Sequence, residues 1–473
     1  MKKTKIVCTL GPSSREEKVI EEMLKAGMNA ARLNFSHGTH QEHRKTIETF
    51  RRVRDRLGVP AALVLDTKGP EIRLGDFKRG KEILEEGKEF TLTTEKLEGS
   101  ASKVSVSYKD LPSQVKEGTG ILIDDGRLRL KVLSATEKEI SCLVEAGGPV
   151  SSRKGVNIPG QPLDLEYISE ADVQDILFGI EMNVDYIAAS FVRSGNDVKE
   201  LRRLLEENGG RDIKIISKIE NTEGIDNFRD ILDLSDGIMI ARGDMGVEVD
   251  FEKLPGIQKK FIKECCKAGK TVITATQMLE SMTSSPAPTR AEITDVANAV
   301  FDGTSAVMLS GESAAGEYPV ETVKTMAKIV CQAELDAEEI NQYKLLEVES
   351  DEKDVSNAMG HAACTTASDI NAGAIIAVTT SGYTAEMTAK YKPEKPVIAA
   401  TPREKTYHQQ ALTRGVYPLL TEVRDNWNEL MEEALQGTKR MGLIKKGDVV
   451  VFSAGMPLQV SGTTNLVRVT AVK

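Results

Sequence analysis

Ile213-Lys214-Ile215-Ile216-Ser217-Lys218-Ile219-Glu220, followed after a helical stretch by Asp236-Gly237-Ile238-Met239-Ile240-Ala241-Arg242-Gly243-Asp244, decides the fold. Both runs are short, apolar and rich in β-branched residues, the pattern of strands buried on both faces. Each ends on groups fit for chemistry: Lys218 and Glu220 in one, Arg242 and Asp244 in the other. Similar runs occupy residues 5–10, 29–35, 61–66, 184–191, 271–276 and 305–310, with helical stretches around 15–26 and 40–56 separating the first three. Three strands before residue 70 and five after 170 make eight, the arithmetic of a closed (β/α)8 barrel. An open doubly wound sheet is the rival. The barrel is favoured because polar residues end nearly every strand and would converge on one rim: Asn34 and Ser36, Asp66, Ser190, Lys218 and Glu220, Arg242 and Asp244, Thr276 and Gln277, Ser310 and Glu312.

Between strands three and four the βα rhythm stops for roughly 100 residues of short, Gly-punctuated β-type runs, such as 89–93, 120–123, 127–133 and 140–144. After a charged stretch at 334–354 it resumes, with strands expected at 373–379, 396–401, 415–420, 447–453 and 466–472, separated by helices in a three-layer unit. The fold class is therefore α/β: a (β/α)8 TIM barrel, an inserted β-barrel lid domain and a C-terminal three-layer α/β domain. The division expected is 1–69 and 169–345 for the barrel, 70–168 for the insert and 346–473 for the C-terminal domain.

The chain has 473 residues, with 62 Lys plus Arg against 72 Asp plus Glu, and the net charge of −10 argues against a nucleic-acid partner. No run of apolar residues reaches membrane-spanning length, and no export leader precedes Gly11-Pro12. The six cysteines form no C-x-x-C pair, which suits reduced thiols and a cytoplasmic location.

Lys218 and Glu220 share one strand face, and Asp244 comes from the neighbouring strand. Two carboxylates without a nearby His or Cys suit Mg2+ or Mn2+ rather than zinc; a structural salt bridge is the plainer alternative. The Gly-flanked turn at Gly243-Asp244 exposes amides to an anion, and Thr276 offers a hydroxyl to the same space. Arg32, Arg73 and Lys154 come from three separate segments, as a polyphosphate cleft would require. Asn34, Ser36 and Asp66 offer oxygens for a monovalent cation. Thr379-Thr380-Ser381-Gly382-Tyr383-Thr384 joins a strand to a helix and, with Ser461-Gly462-Thr463, reads as an effector site or as a capped turn.

These residues sit in long motifs that resemble the pyruvate kinase family: Lys5-Ile6-Val7-Cys8-Thr9-Leu10-Gly11-Pro12, Ala31-Arg32-Leu33-Asn34-Phe35-Ser36-His37-Gly38, Asp66-Thr67-Lys68-Gly69-Pro70-Glu71-Ile72-Arg73, Ile216-Ser217-Lys218-Ile219-Glu220-Asn221 and Ala275-Thr276-Gln277-Met278-Leu279-Glu280-Ser281-Met282. The resemblance runs from end to end. It implies phosphoryl transfer from phosphoenolpyruvate to ADP, followed by protonation of enolpyruvate. By that resemblance Glu220 and Asp244 hold the divalent metal, while Gly243, Asp244 and Thr276 hold the substrate carboxylate. Lys218, Arg32 and Arg73 face the phosphoryl group, and Asn34, His37, Arg73 and Lys154 lie on the nucleotide side. Asn34, Ser36, Asp66 and Thr67 hold K+, and Glu at the position of Glu71 goes with K+ dependence in the family.

Ser310 and Glu312 resemble a proton relay, and Thr276 is a second candidate for orienting the proton-donating water. Tyr383 stands where an Arg or Lys is frequent in the family, so a sugar monophosphate or AMP is at least as fitting an effector as fructose bisphosphate. The resemblance also implies a homotetramer. Without it, a metal-dependent or Schiff-base aldolase or a non-enzymatic phosphometabolite sensor would compete; borohydride trapping would expose the former, and the intact set of rim carboxylates argues against the latter.

Overall fold

The computed structural model describes residues 2–340, 354–458 and 464–473. Eight parallel strands close into a barrel in the order β1-β8-β7-β6-β5-β4-β3-β2. They are β1 (Lys5–Thr9), β2 (Ala30–Asn34), β3 (Ala62–Asp66), β4 (Tyr186–Ala189), β5 (Lys214–Ile219), β6 (Gly237–Ala241), β7 (Thr271–Ala275) and β8 (Ala306–Leu309).

Period-two alternation explains why these runs are apolar throughout. On β5, Ile216 points into the barrel with Val7, Val64, Met239 and Ile273, while Ile215 and Ile219 pack outward against the helices. Lys218, two residues beyond Ile216, therefore faces the interior near the C-terminal rim. Local signals fix the helices between strands. Helix His40–Leu57 begins with a Thr39/Glu42 capping box and ends at Gly58 in the left-handed conformation, and helix Arg290–Asp302 does the same with Thr289/Glu292 and Gly303.

The insert leaves after β3 and returns before β4. Seven of its strands form one sheet, from Ile72–Arg73 to Gly155–Asn157, and Lys81–Leu84 pairs with Gly148–Ser151 as a separate ribbon. Its own apolar core, built around Phe90, Leu92, Leu130 and Ile140, makes it a distinct layer over the rim.

The C-terminal domain carries a five-stranded sheet in the order β11-β10-β9-β12-β13, formed by β9 (Ala374–Val378), β10 (Val397–Thr401), β11 (Val416–Leu420), β12 (Val449–Gly455) and β13 (Thr464–Ala471). Helices cover both faces. Ile375 and Ala377 pack on one side with Ala363 and Ala385, whereas Ala374 and Ile376 pack on the other with Ala434 and Leu435. One expectation fails: β13 is antiparallel to β12, with no helix between them among the described residues. Leu412 of this domain enters the cluster of inward-facing barrel residues, and the Tyr186 hydroxyl at the N-terminal end of β4 donates to the Gln409 carbonyl at 2.8 Å. The domain thus closes the barrel floor opposite the rim that carries Lys218. Among the described residues no helix is long and apolar enough to cross a membrane.

Candidate active site

Lys218 stands at the centre of the rim. Its Nζ donates to Ser190 Oγ at 2.8 Å and Asp66 Oδ1 at 3.1 Å, and lies 2.9 Å from Glu220 Oε1. Burial by itself would push this amine down, but Asp66 and Glu220 outweigh it and hold the lysine well above its usual range. Held up in this way, the amine favours its charged form, which lacks the lone pair a Schiff base needs.

Asp66 is also gripped by Arg32, whose Nε donates to Oδ2 at 2.6 Å while Nη1 donates to Thr9 Oγ1 at 2.9 Å. Burial would raise the Asp66 carboxyl; Arg32 and Lys218 overcome that and hold it below the ordinary carboxylate range. Glu220 behaves oppositely. Burial, reinforced by Asp244 and only partly opposed by Lys218, pushes it up to about 7. Asp244 is likewise raised by burial. Both carboxyls are raised despite Lys218, and Asp244 hydrogen-bonds Glu220; a pair that resists ionising together is one a divalent cation could relieve. Glu220 Oε2 meanwhile accepts the Phe191 amide at 2.6 Å. No cluster of three or more His, Cys, Asp or Glu side chains arranged for a metal occurs among the described residues. Glu220 and Asp244 could hold a metal whose remaining positions are taken by substrate oxygens and water, as Mg2+ prefers.

The strand ends that shape the rim are strained. Phe191, after β4, has φ of 52°, and Thr276 and Gln277, after β7, have φ of 66° and 54°. Non-glycine residues in the left-handed region cost on the order of 1–3 kcal/mol each and cluster at functional sites. Here the strain places Thr276 Oγ1 to accept the Gly243 amide at 2.8 Å, while Arg242 Nη2 donates to the Thr276 carbonyl at 2.6 Å. Glu312, fully buried, accepts the amides of Ser310 at 2.7 Å and Leu279 at 3.2 Å, and burial raises its carboxyl.

A cavity of about 480 Å3 opens between rim and insert, lined by His37, Glu71, Arg73, Lys154, Asn221 and Asp244 among others. Arg73 pairs with Glu71 at 2.7 Å, and Lys154 with Asp124 at 2.7 Å. Asn34 aligns with Asp66 across the β2–β3 pair, and its Oδ1 accepts the Ser36 amide at 3.1 Å. Thr67 adjoins them through Ser190, whose Oγ donates to the Thr67 carbonyl at 2.6 Å. His43 Nε2 meets the His37 carbonyl at 2.9 Å on the outer edge.

Ser190 is the residue whose part the sequence did not disclose. It was visible as a polar strand end, but its hydroxyl bridges Lys218, Asp66 and Thr67 only because β4 lies between β3 and β5. Asp124, the partner of Lys154, and Phe191, the amide donor to Glu220, carried no signal of their own.

In the C-terminal domain Thr379 Oγ1 accepts the Gly382 amide at 2.9 Å, and the Thr380 carbonyl accepts the Thr406 hydroxyl at 2.8 Å. Thr384 Oγ1 lies 2.7 Å from Thr464 Oγ1, so the loop of Ser381 and Tyr383 abuts the segment that follows Ser461, Gly462 and Thr463. Those last three lie outside the described residues.

Fold and site together define a barrel enzyme whose lidded cleft carries a caged ammonium and a pair of cation-seeking carboxylates. The description "Pyruvate kinase, barrel domain" matches residues 1–323, and "Pyruvate kinase, alpha/beta domain" matches 357–470. A pyruvate kinase of Clostridium acetobutylicum is 48% identical over 476 residues, covering 100% of both chains. One of Staphylococcus haemolyticus is 48% identical over 99% of this chain and 80% of its own length. One of Staphylococcus aureus is 47% identical over the same shares. The chain belongs to the pyruvate kinase family.

Proposed function

We propose that the rim residues around Lys218 carry out the activity that family membership gives this chain, transfer of the phosphoryl group of phosphoenolpyruvate to ADP to yield pyruvate and ATP. The observation that carries the residue assignment is the caged ammonium of Lys218, charged, dry and flanked by Glu220 and Asp244. Lys218 sits where it would neutralise the transferring phosphoryl group and the enolate left behind, a preorganised charge that needs no reorientation during reaction. Arg32 and Arg73 bracket the phosphoryl group from two other segments. Gly243, Asp244 and Thr276 hold the substrate carboxylate, and Asn34, His37 and Lys154 face the nucleotide.

Glu220 and Asp244 would hold Mg2+ or Mn2+, which supplies Lewis-acid polarisation of substrate oxygens and a template for their alignment. Asn34, Ser36, Asp66 and Thr67 would hold K+, with Glu71 balancing its charge. The insert closes over the cleft and excludes water that would otherwise hydrolyse the donor. Protonation of the enolate draws on the Thr276 side of the cleft, with Ser310 and Glu312 relaying the proton.

The Thr379–Thr384 loop, with Ser461, Gly462 and Thr463, binds a phosphorylated effector, a sugar monophosphate or AMP, and the assembly is a homotetramer in the cytoplasm. A lactate dehydrogenase-coupled assay with phosphoenolpyruvate, ADP, Mg2+ and K+ tests the whole reading. Turnover is expected, with a leftward shift of the substrate curve on adding ribose 5-phosphate or AMP; absence of turnover under all these conditions would overturn it.

A further inference from the structure

Arg242 follows β6 and opens the helical segment Arg242–Glu248, which carries Gly243 and Asp244. The residue is only 7% exposed, and its guanidinium reaches outward to the surrounding helices. All five of its N–H donors are engaged. Nε donates to the Ala275 carbonyl at 3.2 Å, and Nη2 to the Thr276 carbonyl at 2.6 Å and Met278 Sδ at 2.9 Å. Nη1 donates to Gln258 Oε1 at 3.3 Å and Asp295 Oδ1 at 2.8 Å. Gln258 lies on helix Leu254–Ala268 and Asp295 on helix Arg290–Asp302, so one side of the fork is anchored in the helical layer while the other grips the end of β7. A guanidinium with every donor engaged has none to offer a substrate.

What the fork grips is strained. Thr276 and Gln277 are consecutive non-glycine residues at φ of 66° and 54°, and for a β-branched residue such as threonine that region is an outlier. Backbone of this kind persists only where its surroundings over-determine it. Three of the five bonds from Arg242 fall on this turn, two of them on the carbonyls either side of the Thr276 Cα. On the turn's far side Glu312 accepts the Leu279 amide, and Met278 and Leu279 are fully buried. The result is a fixed Thr276 hydroxyl. Its proton goes to the Ala275 carbonyl at 2.6 Å, and its oxygen accepts the Gly243 amide at 2.8 Å.

We propose that Arg242 is a positioning residue for the reaction: it holds the Thr276–Gln277 turn in its strained form and so sets the Thr276 hydroxyl beside Gly243, where the substrate carboxylate is held. The proposal rests on the assignment of Gly243, Asp244 and Thr276 to that carboxylate. Arg242 acts through Thr276 and touches no substrate itself. Lysine does not replace it, because one ammonium at the end of a flexible stem cannot span the two carbonyls on one side and Gln258 with Asp295 on the other.

Four forms of the full-length protein are compared in the coupled assay: wild type, Arg242→Lys, Thr276→Ala and the double variant. KM for phosphoenolpyruvate, KM for ADP and kcat are read for each. Arg242→Lys should raise KM for phosphoenolpyruvate about tenfold or more and leave KM for ADP within about twofold, since a displaced positioning group costs most at the substrate it serves. General damage to the fold would not divide between the two substrates in this way. In the Thr276→Ala background the same substitution should add nothing, as for residues that act as a unit. Equal effects on both substrates, or full additivity in the double variant, would overturn the proposal. An unchanged KM for phosphoenolpyruvate in Arg242→Lys, with a raised one in Thr276→Ala, overturns the positioning role and leaves the carboxylate assignment standing. No effect of Thr276→Ala on KM or kcat overturns both. If Arg242→Lys does not fold, Asp295→Ala decides by the same split between substrates, because it frees one end of the guanidinium from a partly exposed helix position.

Discussion

Replacing Lys218 by Met keeps the side chain's length and removes its charge. The ammonium lost touches Ser190, Asp66 and Glu220 at 2.8, 3.1 and 2.9 Å. Asp66 retains Arg32 at 2.6 Å, and Glu220 retains the Phe191 amide and its hydrogen bond with Asp244, neither of them a cation. Glu220 and Asp244 therefore lose the one cation that opposes their upward shift. A single preorganised oxyanion donor is worth about 10^2–10^3 in kcat, and a full charge in a dry site should stand at or above the upper end. The expected loss is thus at least about 10^3-fold, equivalent to about 4 kcal/mol of transition-state stabilisation.

The coupled assay should show this in kcat, with a smaller change in KM for phosphoenolpyruvate, because the contact matters most as charge develops. Exchange of the pyruvate methyl protons with solvent, followed by NMR, should persist, since an ammonium whose proton is held by Asp66 and Glu220 is a poor acid. Lys218→Arg should not rescue: three acceptors arranged around a point charge do not match a planar fork. A kcat within tenfold of wild type, or exchange that falls in step with kcat, would refute the assignment.

K+ should activate the enzyme strongly over a tetramethylammonium control, and Glu71→Lys should abolish that dependence by supplying a fixed charge; equal rates in the two salts for wild type would contradict the K+ site. Because the Glu220 carboxyl is raised to about 7, protons compete with a divalent cation below that pH. Mn2+ affinity should fall about tenfold per unit from about pH 7 to pH 5, and pH-independent binding by calorimetry would refute the shift. Burial lowers the Lys5 amine on β1 to about 7 from 10.5, so between those values the unfolded chain binds the extra proton and stability rises with pH. At and below pH 7 the penalty of the buried charge is fully present. Lys5→Met should therefore raise Tm by a few degrees at pH 6.5 and by less at pH 9.5; an equal shift at both pH values would contradict the linkage.

The barrel was legible because strands buried on both faces write themselves as apolar runs, and because their polar ends, such as Lys218 and Asp244, break the pattern where it meets the rim. Asp66 and Arg32 were visible for the same reason. Ser190 was visible as a residue and not as a partner, since its bonds depend on β4 sitting beside β3. The antiparallel return of β13 had no signature, because an apolar strand reads alike in either direction. Arg242 was silent for a third reason: it reads as one more polar strand end, and Asp295 lies 53 residues away in chain number, in no shared motif, so that only the closing of the barrel makes them neighbours.

The docking of the C-terminal domain on the barrel floor has a consequence for the gene as well as the molecule. Leu412 packs among the inward side chains of the barrel, and the Gln409 carbonyl takes the Tyr186 hydroxyl. A deletion that removed the C-terminal domain would expose the end of the barrel's packed interior that Leu412 covers and take the Gln409 carbonyl from the Tyr186 hydroxyl. The C-terminal domain is thus also a stopper for the barrel, so the barrel's soundness depends on it whatever the domain binds.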